Sequence, residues 1–151
     1  MGATMSTTFG PGFHATPGRA VDASAYDQWT GRWSRLFVPS LLAAAKVAEG
    51  QQVLDIATGT GEAALRALPV VGASGLVVGA DIAPEMLTTA RDRLNEPKYL
   101  PIAANGQSLP FEDGAFDTVI CQLGLQFFSD PQAGLTEFRR FASSRHRTER
   151  R

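Results

Sequence analysis

Apolar positions along this chain fall into short runs, separated by stretches in which they recur at helical spacing. The run Gln52-Val-Leu-Asp-Ile-Ala57 predicts a strand, followed by the glycine turn Thr58-Gly-Thr-Gly61. Glu62 to Leu68 reads as a short helix that Pro69 stops. Leu76-Val-Val-Gly-Ala-Asp81 predicts a second strand, and Pro84 sits in the first turn of a helix over Glu85 to Leu94. Tyr99 to Ala103 is a weaker strand, interrupted by Pro101 and so placed at a sheet edge. Phe116-Asp-Thr-Val-Ile-Cys121 predicts a fourth strand, and Asp130-Pro131 opens a helix through Leu135 and Phe138. Upstream, Asp22 or Ser24 caps a helix that carries Tyr26 and Trp29 and is broken by Gly31. Pro39 opens a second helix through Leu41, Leu42, Ala45 and Ala48, which Glu49-Gly50 ends. Strands spaced by helices in this way predict an α/β fold with a parallel sheet covered on both faces.

The two ends break the pattern. Residues 1–20, rich in Gly, Thr and Pro, are expected to be a disordered N-terminal tail. Residues 143–151 contain no apolar side chain and read as a disordered basic tail, with a basic partner-binding tail as the alternative. A domain over 21–142 lies between them, with N-terminal helices in 21–50 and an α/β core in 51–142. A net charge of −1 argues against a nucleic acid or an anionic membrane held by bulk electrostatics. Cys121 is the only cysteine, which excludes an internal disulfide and a thiol-rich metal site. His14 and His146 lie in the tails, so no metal site is expected. No apolar stretch approaches the roughly 20 residues needed to span a bilayer. The start does not read as a signal peptide, and the expectation is a cytoplasmic protein.

The chemistry concentrates around the first glycine turn. Gly59 and Gly61 adopt positive φ without strain, and their missing Cβ lets backbone pass close beneath a ligand. The helix that follows presents free N–H groups at an electropositive end. Asp55 sits inside the apolar strand, where a carboxylate is costly unless something donates to it. A ligand ammonium meets that need, and so do nearby backbone N–H groups. Asp81 ends the second strand, where an acid accepts both hydroxyls of a ribose; capping of the following helix is the other reading.

Three segments stand in the order and spacing of a known family: Val53-Leu-Asp-Ile-Ala-Thr-Gly-Thr-Gly61, Val78-Gly-Ala-Asp-Ile-Ala-Pro-Glu-Met-Leu87 and Leu109-Pro-Phe-Glu-Asp-Gly-Ala-Phe-Asp117. With Tyr26-Asp-Gln-Trp-Thr-Gly-Arg-Trp-Ser-Arg35, the chain resembles class I S-adenosylmethionine-dependent methyltransferases over about residues 26–142. More narrowly, it resembles the quinone-biosynthesis-like, small-molecule branch described as methyltransferase type 11. The resemblance implies a Rossmann-like three-layer sandwich with sheet order 3-2-1-4. It implies S-adenosyl-L-methionine as cofactor, with Asp55 near its amino group. Ala57, Thr58, Gly59 and Gly61 then line its methionine and ribose portion. Asp81 holds the ribose hydroxyls, and Ile82 and Met86 pack near the adenine, with ordinary core packing as the alternative for both. Asn105 stands where the family carries an aspartate that accepts from the adenine amino group, and it accepts without charge. Gln122 lies by the methionine end. Tyr26, Arg32 and Trp33 belong to an N-terminal lid over the pocket.

Family members continue from a sequence like Glu137-Phe-Arg-Arg-Phe141 into a Pro-Gly-Gly turn, a fifth strand and an antiparallel pair. Here Ala142 leads into the polar tail, so strands 5–7 are expected to be absent, as in a C-terminally truncated domain. That would leave the fourth strand open to self-association along its edge. Three functions follow. The first is methyl transfer to a small-molecule acceptor by direct SN2 displacement, with no general base identified. The second is a non-catalytic or partner-dependent cofactor-binding fragment. The third is an NAD-dependent oxidoreductase, since Gly59-x-Gly-x-x-Ala64 with Asp81 fits a dinucleotide fingerprint. Asp55 within the first strand disfavours the third. Cys121 reads as a small buried apolar residue rather than a nucleophile.

Overall fold

A computed structural model describes residues 27–142. The two tails, the capping positions Asp22 and Ser24, and Tyr26 lie outside the described residues. A π-helical turn, Asp27–Gly31, runs into α1 (Arg32–Ser34), and α2 (Val38–Ala44) follows. The alternating part is β1 (Gln52–Ile56), α3 (Glu62–Val71), β2 (Leu76–Asp81), α4 (Pro84–Leu94), β3 (Tyr99–Ala103) and β4 (Thr118–Ile120). A 3₁₀ turn (Leu125–Phe127) leads to α5 (Pro131–Phe141).

The described strands form one sheet in the order β3-β2-β1-β4, and every pairing is parallel. The expected order and strand type are therefore present. Alternation of side chains along β1 builds two cores. Val53 points to the face covered by α2, α3 and α4, where Val38, Ala64, Val71, Val77, Ala90 and Tyr99 are buried with it. Leu54 and Ile56 point to the other face, against Leu109, Phe116, Phe128 and Phe141. Helices on both faces make the three-layer sandwich. No helix among the described residues is long and apolar enough to cross a membrane.

Four local expectations are corrected. Gly31 does not break the first helix: its φ of −60° and ψ of −33° are helical, and the Arg35 N–H still reaches its carbonyl at 3.3 Å. The second helix stops at Ala44, short of Gly50. Lys46 takes a left-handed φ of +54° there. The Val47 N–H bonds the Leu42 carbonyl at 3.0 Å and the Lys46 N–H bonds the Ala43 carbonyl at 3.1 Å. This is a Schellman closure with lysine where glycine is usual. Pro69 does not stop α3, which runs two residues further to bury Val71 fully. The exposed proline ring sacrifices one helical bond, and the Val71 carbonyl is satisfied by the Gly50 N–H at 2.9 Å. The fourth strand covers only Thr118–Ile120, because the Phe116 N–H turns to the Phe141 carbonyl at 3.1 Å instead of joining β1.

The segment between β3 and β4 is tied down from α5. The Arg140 guanidinium donates to the Phe111 carbonyl and to Asp113, both at 2.8 Å. Glu137 accepts from the Leu109 N–H at 3.0 Å. These bonds fix the loop that walls one side of the site.

Candidate functional site

Ligands of open parallel sheets bind at the carboxyl ends of the strands, where the helices part. Two adjoining clefts lie there. The larger, about 670 Å³ and open to solvent, is lined by Ala57, Gly59, Asp81, Ile82, Met86, Asn105 and Gln122, with Gly106 and Phe128 behind them. The smaller, about 390 Å³, is lined by Asp55, Thr58, Thr60 and Glu62 below, and by Gly31, Ser34 and Leu123 above. Ala57, Gly59 and Gln122 border both. The two clefts therefore meet at the glycine turn.

The turn is held by Asp81. One carboxylate oxygen accepts from the Gly59 N–H at 2.8 Å and the other from the Ala83 N–H at 2.9 Å. Ala57 and Gly59 both have φ of +56°, so the backbone folds back on itself between the clefts. Burial raises the Asp81 carboxyl, and the N–H groups of Ala83 and Gly59 oppose that rise. Asp55 is almost fully buried in β1, and its Oδ2 accepts from the Thr58 hydroxyl at 2.7 Å. Burial pushes its carboxyl up to about 7, against the lowering effect of Thr58, and Asp81 adds to the rise. The partners of both carboxylates are neutral N–H and O–H groups. Burial pushes the Cys121 thiol up to about 12, and Asp55 adds to the rise. This arrangement suits a ligand with a cationic end for Asp55 and hydroxyl donors for Asp81.

The remaining expected residues separate. Met86 is buried and Ile82 half-buried on one wall of the larger cleft. Asn105 lines the same cleft, but its Oδ1 already accepts from the Gln107 N–H at 2.9 Å and the Gln107 amide at 3.3 Å. Gln122 donates to the Ser34 carbonyl, fastening α1 to the end of β4. Gly61 borders neither cleft. It sits at φ +83° under α4, where a Cβ would lie 2.7 Å from Leu94 Cδ1. Arg32 and Trp33 are exposed and line neither cleft, whereas their neighbours Gly31 and Ser34 do line the smaller one. Glu62, which opens α3, is a wall residue that sequence reasoning missed; Arg93 pairs with it at 2.6 Å. Gly124 was also missed: its Cβ would fall 2.3 Å from the Ala57 Cβ.

Fold and site together define an open parallel α/β protein with a candidate ligand site across the ends of β1 and β2. The ubiE/COQ5 methyltransferase family model matches residues 28–144, and the chain belongs to that family. It is 39% identical over 109 residues to the ubiquinone/menaquinone biosynthesis C-methyltransferase UbiE of Xylella fastidiosa (strain M23), covering 70% of this chain and 42% of that one. The corresponding protein of Stenotrophomonas maltophilia (strain K279a) is 40% identical over 112 residues, covering 72% and 43%. The chain thus spans well under half the length of these relatives. Among solved structures, a SAM-dependent methyltransferase from Aquifex aeolicus superposes with a TM-score of 0.68 at 23% identity, covering 82% of this chain and 68% of that one. The arsenic(III) S-adenosylmethionine methyltransferase CrArsM from Chlamydomonas reinhardtii gives 0.56 at 27% identity, covering 70% and 45%.

Proposed function

We propose that this chain binds S-adenosylmethionine across the two clefts and takes part in methyl transfer to a small-molecule acceptor. The observation that carries this reading is the pair of desolvated carboxylates flanking the Gly59 turn, Asp55 with the Thr58 hydroxyl as donor and Asp81 with the Gly59 and Ala83 N–H groups. Asp55 accepts from the ligand ammonium in the smaller cleft. Asp81 keeps its two backbone donors and accepts the ribose hydroxyls with its remaining lone pairs. Ala57, Thr58 and Gly59 shape the backbone between these ends, while Ile82 and Met86 pack against the base. Gly61 supports the turn from below through its contact with α4. Asn105 accepts from the base once the Gln107 amide turns away. Gln122 holds α1 over the methionine end, and Arg32 and Trp33 belong to that helix. The cofactor supplies a sulfonium-activated methyl group, transferred by direct displacement with a neutral thioether leaving. The protein's part is to align the partners and exclude water, which supplies several kcal/mol without covalent help.

The named relatives make a carbon atom of a quinone precursor the first acceptor to assay. The second reading is cofactor binding without turnover, or turnover only with a partner. Self-association along β4, an outer strand of the described sheet, is the arrangement this second reading carries. Sedimentation across a concentration series reads it out. Competitive titration with S-adenosylhomocysteine and NAD, followed by a methyl-transfer assay, tests the whole. Binding of S-adenosylhomocysteine with turnover supports the first reading, and binding alone supports the second. Preferential binding of NAD would overturn both in favour of a dinucleotide site.

A further inference from the structure

Beneath the smaller cleft, a tyrosine from β3 reaches across β2 to the threonine that bonds the carboxylate of β1. In the sheet, Asp55 is in register with Gly79 and Tyr99 with Val77. Gly79 therefore lies between Asp55 and β3. A Cβ at Gly79 would fall 2.3 Å from the Tyr99 hydroxyl and 2.6 Å from its ring. The phenol thus lies flat over the space that a side chain there would fill. Its hydroxyl comes within 3.4 Å of Thr58 Oγ1, and Thr58 Oγ1 lies 2.7 Å from Asp55 Oδ2. Thr58 has one hydrogen, and the carboxylate takes it, so Tyr99 is the donor in its own contact. The ring is buried, and burial pushes its hydroxyl up to about 12, so it keeps its proton throughout the working range.

We propose that Tyr99 is a positioning residue for the cationic end of the ligand. Across Gly79 it donates to Thr58, and Thr58 donates to Asp55 Oδ2, which orients the carboxylate at the wall of the smaller cleft. This rests on the assignment of Asp55 to the ligand ammonium. A donor chain of this kind polarises each bond in the direction of the carboxylate and strengthens the last one. It also fixes the carboxylate plane with two side chains from outside β1. The other charged or titratable groups around Asp55 are Asp81 at the end of β2, Glu62 of α3 with its partner Arg93 of α4, and Cys121 beyond β4.

The test uses Tyr99→Phe, which keeps the ring, together with Thr58→Val, Thr58→Ser and Asp55→Asn. Two quantities are read: the carboxyl titration of Asp55 by 13C NMR in ligand-free protein, and calorimetric affinity for S-adenosylhomocysteine. Tyr99→Phe is expected to raise the Asp55 midpoint by about 0.3–0.5 pH unit and to weaken binding about two- to threefold below that midpoint. Adding Tyr99→Phe to Thr58→Val should change neither quantity further, because the link is already cut, whereas Thr58→Ser should preserve both. An unmoved midpoint in Tyr99→Phe, with affinity lost in Asp55→Asn, would overturn the donor chain and leave the Asp55 assignment standing. Unchanged affinity in Asp55→Asn would remove that assignment and the role of Tyr99 with it.

Discussion

Asp55 carries opposite consequences for folding and for binding. Its carboxyl titrates near 3.8 when exposed and at about 7 in the folded chain. Between those values the folded chain holds a proton that the unfolded chain has lost, so stability falls as pH rises through the window. Above it the full penalty stands, of the order of 4 kcal/mol. Asp55→Asn is therefore expected to raise the melting temperature of the ligand-free chain at pH 8 and to flatten its decline between pH 4 and 7. The same substitution weakens S-adenosylhomocysteine. A lower melting temperature at pH 8, measured by calorimetry, would contradict the account. The sequence made Asp55 conspicuous because an acid inside an apolar strand is costly. Its two supporting hydroxyls were not equally visible. Thr58 is three residues away and belongs to the quoted motif, whereas Tyr99 is 41 residues from Thr58 and meets it only through sheet register.

At the scale of elements, α2 and α3 show where local rules yield to packing. Pro69 read as a stop, yet burial of Val71 outweighs the one lost helical bond. Lys46 closes α2 in a conformation that costs a side chain roughly 1 kcal/mol relative to glycine. Lys46→Gly is therefore expected to stabilise the chain by up to about 1 kcal/mol in urea unfolding. Gly61→Ala should act oppositely. Its φ of +83° and the 2.7 Å approach to Leu94 predict a loss of about 1–3 kcal/mol. An equally stable Gly61→Ala chain would show that α4 does not rest on the glycine turn. The strands were legible almost to the residue in β1, β2 and β3, because short apolar runs between glycine and proline signals have few other readings. β4 was overextended at Phe116, whose partner, the Phe141 carbonyl, belongs to the far end of α5.

For the whole molecule, the clefts form because the sheet order places β1 and β2 side by side with α3 and α4 on one face and α5 on the other. Topology was legible, and so were the cleft residues that the motifs fix to strand ends, Asp55 to Gly59 and Asp81 to Met86. The anchoring from above was not. Gln122 reaching the Ser34 carbonyl links residues 88 positions apart, and neither belongs to a periodic pattern. On the proposed reading, Asp55 and Asp81 hold the amino group and the ribose of one cofactor across the Gly59 turn. Calorimetric titration of S-adenosylhomocysteine into the chain and into Asp81→Asn tests it most directly. Asp81 would make charge-assisted bonds worth roughly 1.5–3 kcal/mol each, so the substitution should weaken binding by about tenfold or more. Equal affinity in the two proteins would contradict the assignment.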